Sequence, residues 1–239
     1  MEKLVFFINR APDLDRAEFG RRYLESHAPL TLQHCPKLRG YVVNIGDVGK
    51  ESEGTFDAIT ELWFDSLEDF TDRSRLYDSP EGATAVAEDG AALVRSAIGY
   101  RVVEGIQRDY DRSWSDGEPS PGVKMMAPLL RAEGLSHDGF ADHWLNTHVP
   151  LALEHLPGMW RYVTNIVTAP LTPNAPEYDG VIGLQVRELA DMDDRERFYA
   201  SPEGVKIMAD DSSKLLARVT RTLTTEHVLR SPPSPQSPK

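Results

Sequence analysis

Two histidines, His27 and His148, each stand two residues before a proline, in His27-Ala28-Pro29 and His148-Val149-Pro150. A histidine titrates near neutrality and can take up and release a proton within one reaction cycle. Proline lacks an N–H and disfavours helical geometry at the residue before it, so a helix running into either proline is expected to kink or break. An imidazole at that break would lie beside freed carbonyls, where the helix C-terminal dipole favours its charged form. Two roles follow: a proton shuttle, or a cap for those carbonyls with no chemistry attached.

Tyr41 and Tyr162 each follow their histidine by fourteen residues, inside apolar stretches that read as strands. A tyrosine hydroxyl can donate to a developing enolate or carbonyl oxygen. Side chains alternate along a strand, so Tyr41 shares a face with Val43 and Ile45 while Asn44 takes the other. Asn44 and Asn165 are candidates for holding substrate, but on a regular strand, without a bulge, Tyr41 and Asn44, like Tyr162 and Asn165, cannot face the same side. Asp57 and Asp179 open the next strand of each set. A carboxylate there could orient a histidine, or stay solvated at a loop end. Glu61 has Gly183 at its matching position, so only the first half offers an acid there. Trp144, Trp160 and Trp63 could line a pocket for a flat apolar ligand, although core packing is the commoner fate of such rings.

The remaining histidines do not compose a metal site. His34 and His155 follow His27 and His148 by seven residues, two helical turns away and roughly 10 Å along the axis. His143 precedes His148 by five, which in an α-helix puts it on a different face. His137 and His227 fit no ligand spacing. No Gly-rich phosphate loop ending in Lys-Ser/Thr and no Gly-x-Ser-x-Gly elbow occurs. Neither a metal nor another cofactor is expected. Cys35 has Leu156 at its matching position and reads as a small buried apolar residue.

The elements that position these groups come in two copies. Phe19 to Leu30 recurs as Phe140 to Leu151, with His27 meeting His148 and Pro29 meeting Pro150. His34-Cys35-Pro36 meets His155-Leu156-Pro157, and Tyr41-Val42-Val43-Asn44 meets Tyr162-Val163-Thr164-Asn165. After one inserted residue, Asp57 meets Asp179, Tyr77 to Gly82 meets Tyr199 to Gly204, and Val103-Glu104 meets Thr225-Glu226. Matches in one order at a nearly fixed offset mark an internal repeat.

Each copy opens with an apolar strand, Leu4 to Ile8 or Val123 to Leu130. A helix follows, capped by Asp15 or Ser136. Next come two strands, Tyr41 to Val48 and Phe56 to Phe64 in the first copy, Tyr162 to Thr168 and Val181 to Arg187 in the second. A second helical region is capped by Ser79 or Ser201, with Pro80 or Pro202 at its first position. A last strand ends near Val103 or Thr225. The order β-α-β-β-α-β is that of the ferredoxin-like unit. Such a unit carries helices on one sheet face, and its other face is expected to be apolar and to need cover. Two copies in one chain can cover each other. The expected fold class is α+β: two ferredoxin-like repeats, residues 1–107 and 123–229, fused into a pseudo-dimeric α+β barrel. Residues 108–122 have linker composition, and 230–239, rich in Ser and Pro, read as a disordered tail.

The His-x-Pro at the end of the first helix, followed by the Arg161-Tyr162-Val163-Thr164-Asn165 strand, resembles the EthD domain family of dimeric α/β-barrel proteins. The resemblance covers both copies. It is fuller in the second, which has His143-Trp144 and Arg161. The first has Arg22-Tyr23 and Gly40 instead. The resemblance implies cofactor-free barrel chemistry: cyclases, dehydratases, decarboxylases, isomerases and quinone-forming monooxygenases share this type of fold, and more distant barrels bind haem.

Composition narrows the partners. A formal charge of −12 with no basic run argues against nucleic acid and against anionic membrane surfaces. A single cysteine excludes an intrachain disulfide and suits a reducing compartment. No run has the length of a membrane helix, and the apolar N-terminal stretch lacks a signal-peptide pattern. The expected setting is cytoplasmic. The expected partner is a small hydrophobic organic molecule, and a homodimer of the fused barrel remains open. The functional expectation is a cofactor-independent acid–base enzyme of lyase or isomerase type. It would act by dehydration, cyclisation or decarboxylation on an oxygenated ring or polyketide-like substrate, with catalysis mainly in the second half. A cofactor-free monooxygenase and a non-enzymatic binder of haem or another apolar ligand are the alternatives.

Overall fold

The computed structural model describes residues 1–47 and 56–233. Val48, named above as a strand end, and 234–239 of the expected tail lie outside the described residues. The first half contributes β1 (Glu2–Arg10), β2 (Gly40–Gly46), β3 (Ala58–Phe64) and β4 (Val94–Arg108). The second contributes β5 (Val123–Arg131), β6 (Arg161–Pro170), β7 (Gly180–Val186), β8 (Leu216–Val219) and β9 (Thr222–Arg230). All their pairings are antiparallel. The order is β7-β6-β4-β1-β3-β2-β9-β5-β8, and a further pairing of β7 with β5 closes the sheet into a barrel. β8 and β9 lie along the same edge of β5, so the barrel has eight strand positions. The halves meet along two seams, β4 with β6 and β2 with β9.

The helices lie outside. In the first half, α1 (Arg16–Arg22) runs through a π turn, Tyr23–His27, into α2 (Ala28–His34), and α3 (Pro80–Leu93) follows β3. In the second, α4 (His137–His143), the π turn Trp144–His148 and α5 (Val149–His155) repeat this path, and α6 (Pro202–Leu215) matches α3. The predicted caps form: Asp15, Ser79, Ser136 and Ser201 accept from the backbone N–H groups of Glu18, Gly82, Gly139 and Gly204.

The prolines do not break the helices. Ala28 is helical at φ −68° and ψ −44°, and its N–H bonds the carbonyl of Tyr23; Val149 does the same to Trp144. One residue is added to the turn ahead of each proline, giving the i→i+5 bond of a π turn. Such a bulge widens the turn where the ring would clash, and the chain continues as α-helix.

Two apolar clusters fill the space between sheet and helices, one per half. Leu4, Phe19, Tyr23, Tyr41, Val43 and Leu93 belong to the first; Met125, Phe140, Trp144, Tyr162, Leu184 and Leu215 belong to the second. A third cluster lies inside the barrel and draws on both halves, with Val5, Phe7 and Ile59 against Met126, Val167 and Val181.

The interior is not apolar throughout, contrary to the sequence expectation. Toward one end it holds Lys3, Glu61, Lys124 and Glu226, each at most 4 % exposed. Lys3 and Lys124 occupy matching positions on β1 and β5, and Glu104 and Glu226 match on β4 and β9. Each lysine pairs with its own half's glutamate. Each also takes one oxygen of Glu61, at 2.6 Å from Lys3 and 2.7 Å from Lys124. Gly183 leaves room where a second copy of Glu61 would stand. Pairing is what permits such burial, because an isolated charge there would be strongly disfavoured.

The expected linker lies folded over this polar end. Ser120 N–H bonds the Glu226 carbonyl, Gly117 N–H bonds the Val228 carbonyl, and the Tyr110 hydroxyl donates to Glu226. Gly122 makes the entry to β5 possible. Its φ is +88°, and a Cβ there would lie 2.1 Å from the Val186 oxygen. The first residues of the expected tail are also held. Ser231 bonds Asp116, and Pro232 packs where a Cβ on Gly40 would stand. Among the described residues, no helix is long and apolar enough to cross a membrane.

Candidate active site

The strand alternation read from the sequence is what the barrel shows. Tyr41 and Tyr162 lie in the clusters between sheet and helices, whereas Asn44 and Asn165 point to the opposite face. Each tyrosine meets a matching partner on the helix layer. The Trp144 indole N–H donates to the Tyr162 hydroxyl at 2.8 Å. In the first half the partner is Tyr23, with its hydroxyl 3.4 Å from that of Tyr41. Burial pushes the Tyr162 phenol well up, so it stays neutral and keeps a proton to donate. Because Trp144 fills an acceptor position of that hydroxyl, the phenolic proton remains free for another acceptor.

Both histidines reach the same layer, and neither caps helix carbonyls. His148 Nδ1 lies 2.6 Å from Asp211 Oδ2, and His27 Nδ1 lies 2.9 Å from Asp89 Oδ2. Asp211 and Asp89 sit at matching positions of α6 and α3. Sequence reasoning missed them, although the repeat offset that aligned the other pairs also aligns these two. Each carboxylate fixes its imidazole with Nδ1 as the bonded nitrogen, leaving Nε2 for another partner. Burial lowers the pKa of His148, and Asp211 only partly offsets it. The same balance, with Asp89, lowers His27. Both are therefore neutral at pH 7 and able to accept a proton.

A cavity adjoins each histidine. The one in the second half is about 520 Å³ and is bounded by Trp144, His148, Tyr162, Leu184, Phe198 and Met208, among others. Asp193, Arg195 and Arg221 lie on its wall as well. Its counterpart in the first half, at His27, Tyr23 and Tyr41, is about 240 Å³. Sites for small organic ligands usually span about 300–1,000 Å³. The second cavity falls in that range and the first below it.

Several predicted site residues lie elsewhere. Asp57 and Asp179 neither orient these histidines nor stay solvated. They are buried struts. Asp57 binds the Arg10 backbone and side chain and the Arg16 guanidinium; Asp179 binds the Arg131 backbone and side chain and His137. Trp160 stacks on the folded linker, with its ring 4.5 Å from Tyr110 and 5.9 Å from Trp114. Trp63 borders the polar end of the barrel, beside Glu104 and Lys3. Asn44 and Asn165 bond the Ile59 and Val181 carbonyls. None of these borders the cavity at His148. His34 pairs with Asp78.

His143 corrects another expectation. The π turn changes the phase of the helix, so a five-residue step returns to the same side. His143 Nε2 lies 2.8 Å from Asp211 Oδ1, and the two histidines share one carboxylate. Among the described residues no three His, Cys, Asp or Glu side chains gather as a metal site.

The EthD domain model matches residues 11–96 and again 132–218. A comparison with curated protein sequences found no match. Among solved structures, an anthrone oxidase-like protein is similar at a TM-score of 0.62 with 11 % identity, over 95 % of this chain and 92 % of that one. A chlorite dismutase variant from Candidatus Nitrospira defluvii is similar at 0.56 with 11 % identity, over 95 % and 92 %. At such identities the likeness is one of fold.

Proposed function

The chain belongs to the EthD domain family through both halves, and from that premise we propose a cofactor-independent acid–base enzyme working in the second cavity on a hydrophobic, oxygenated ring substrate. Each half is taken as a ferredoxin-like repeat, residues 1–107 and 123–229, and the first as the partner that completes the barrel. The observation that carries the reading is that one 520 Å³ cavity is bordered by a neutral, carboxylate-anchored imidazole and by a phenol with its proton free.

His148 Nε2 takes a proton from a ring carbon made acidic by conjugation with a ring carbonyl. Tyr162 donates to that carbonyl oxygen as it gains charge. Asp211 holds the Nδ1 proton in place, so that Nε2 is the nitrogen that accepts. Apolar side chains on the cavity wall, Leu184, Phe198 and Met208 among them, limit water around the enolate. Collapse of the enolate by expulsion of a β-hydroxyl as water, or by attack on a second carbonyl to close a ring, gives a lyase or isomerase. A decarboxylation reaches the same enolate directly, by loss of CO2 from a β-keto acid, and the enolate is then protonated at carbon. Reaction of the enolate with O2, with a C–O bond formed to a hydroperoxide that loses water to leave a new carbonyl, gives an oxygenase. The second outcome is supported by the likeness to the anthrone oxidase-like protein, and both pass through the enolate.

The test is solvent exchange. Fused-ring ketones, anthrone among them, are incubated in D2O with the protein, with His148→Ala, and without protein. Faster deuterium uptake at the acidic ring carbon, which in anthrone is the CH2 across the ring from the carbonyl, is expected with the wild type alone. An oxygen electrode separates the two outcomes. Equal exchange in all three samples across the series would remove the acid–base reading.

A further inference from the structure

In the second half the two oxygens of Asp211 are held by two different imidazoles, His143 at Oδ1 and His148 at Oδ2. In the first half Asp89 binds one imidazole among the described residues, that of His27. Its other oxygen accepts from the Ser26 hydroxyl at 3.0 Å, and the position of His143 is taken by Arg22. The π turn is common to both halves, so the difference lies in the side chain and not in the backbone.

We propose that His143 is a positioning residue for the base: by sharing Asp211 it takes the single positive charge that the carboxylate can balance, and so keeps His148 neutral with Nε2 ready to accept a proton. This inference rests on the reading of His148 as the base.

The two histidines differ in access to water. The His143 side chain is 23 % exposed and that of His148 11 %, while Asp211 is 8 % exposed. Charging the more hydrated imidazole costs less desolvation. Once His143 is charged it neutralises Asp211, which then no longer draws a proton onto His148. A neutral His148 bonded to Asp211 must donate from Nδ1, which fixes the tautomer with a lone pair on Nε2. His143 does not border the cavity, so it acts through Asp211 and not on substrate.

Other groups around the pair do not supply this charge. Trp144 is uncharged, and Tyr162 on β6 is held neutral by burial. Asp142, beside His143, accepts from the Asn146 amide. Asp193, Arg195 and Arg221 lie on the same cavity wall, and no ion pair joins them to Asp211 or His148 among the described residues.

The experiment follows the histidine ring Cε1–H signals of the full-length protein by NMR through a pH titration, with His143→Gln, His143→Ala and Asp211→Asn for assignment and comparison. In the wild type His148 is expected to protonate below the ordinary histidine range, with a curve distorted by its coupled neighbour. Glutamine keeps a donor to Asp211 without the charge, so in His143→Gln the His148 midpoint should rise by about 0.5–2 pH units, the span given by Coulomb's law between watery and protein-like dielectric constants. A His148 midpoint at or above the ordinary histidine value in the wild type, which needs no variant to fold, overturns the proposal. So does an unmoved His148 midpoint in His143→Gln. A purely structural His143 would give the second result while lowering the melting temperature. The titration uses no substrate, so a failed exchange assay with an intact titration shift would discard the enzymatic reading and keep the coupling.

Discussion

Lys3 and Lys124, at matching positions of the two halves, share one carboxylate, that of Glu61, inside the barrel. The repeat supplies two lysines and two outer glutamates but only one central acid. Glu61→Gln would leave both lysines short of charge in a buried site. Breaking a buried ion pair from one side costs about 3–5 kcal/mol, so a fall of that size in unfolding free energy by denaturant titration is expected. The same site makes stability depend on acid. Burial opposes the charged form of Glu61, but Lys124 and Lys3 outweigh it and hold its pKa well below the usual 4.5. Glu226 is lowered in the same way, by Lys124 and Arg161 against burial. A group depressed on folding stabilises fully above its unfolded pKa, and the contribution is lost as pH falls through the folded value. Stability should therefore be flat in this term above about pH 6 and decline below about 4.5. A Glu61→Gln protein whose acid unfolding curve overlays that of the wild type would contradict this.

The two histidines should differ in their effect on turnover. With a substrate in hand, His148→Ala is expected to lower the rate by about 10²–10⁴, the usual size of general acid–base catalysis. His27→Ala, beside the smaller cavity, should leave it within a small factor. Since burial lowers the His148 pKa despite Asp211, the rate should fall with acid only below the ordinary histidine range, near 6.5, and not within it. An essential His27 beside a dispensable His148 would move the chemistry to the first half.

Neither half should be stable alone. A fragment of residues 1–107 would expose β2 and β4, which pair with β9 and β6, and would bare Val5, Phe7 and Ile59. Unpaired edges beside an apolar face favour association. Sedimentation of that fragment should show aggregates or oligomers. A soluble, folded monomer would mean that the halves are independent domains.

The sequence by itself determined what depends on order and local chemistry. The repeat could be read because both copies keep the same residues at one offset, and period-two alternation separated Tyr41 from Asn44 and Tyr162 from Asn165. The helix caps were readable because a cap needs only a side chain and a backbone N–H three residues on. What the sequence left undecided involves groups far apart in the chain or a backbone choice without a residue code. Asp211 is 63 residues from His148, and only packing α6 against the π turn brings them together. The π turn itself turned an expected break into a continuous helix and brought His143 onto the face of His148, since one added residue per turn changes which spacing meets. Charged residues lie inside the barrel because Lys3, Glu61 and Lys124 come from three strands and can be buried only as a set. Their pairing exists in three dimensions and in no single stretch of the chain.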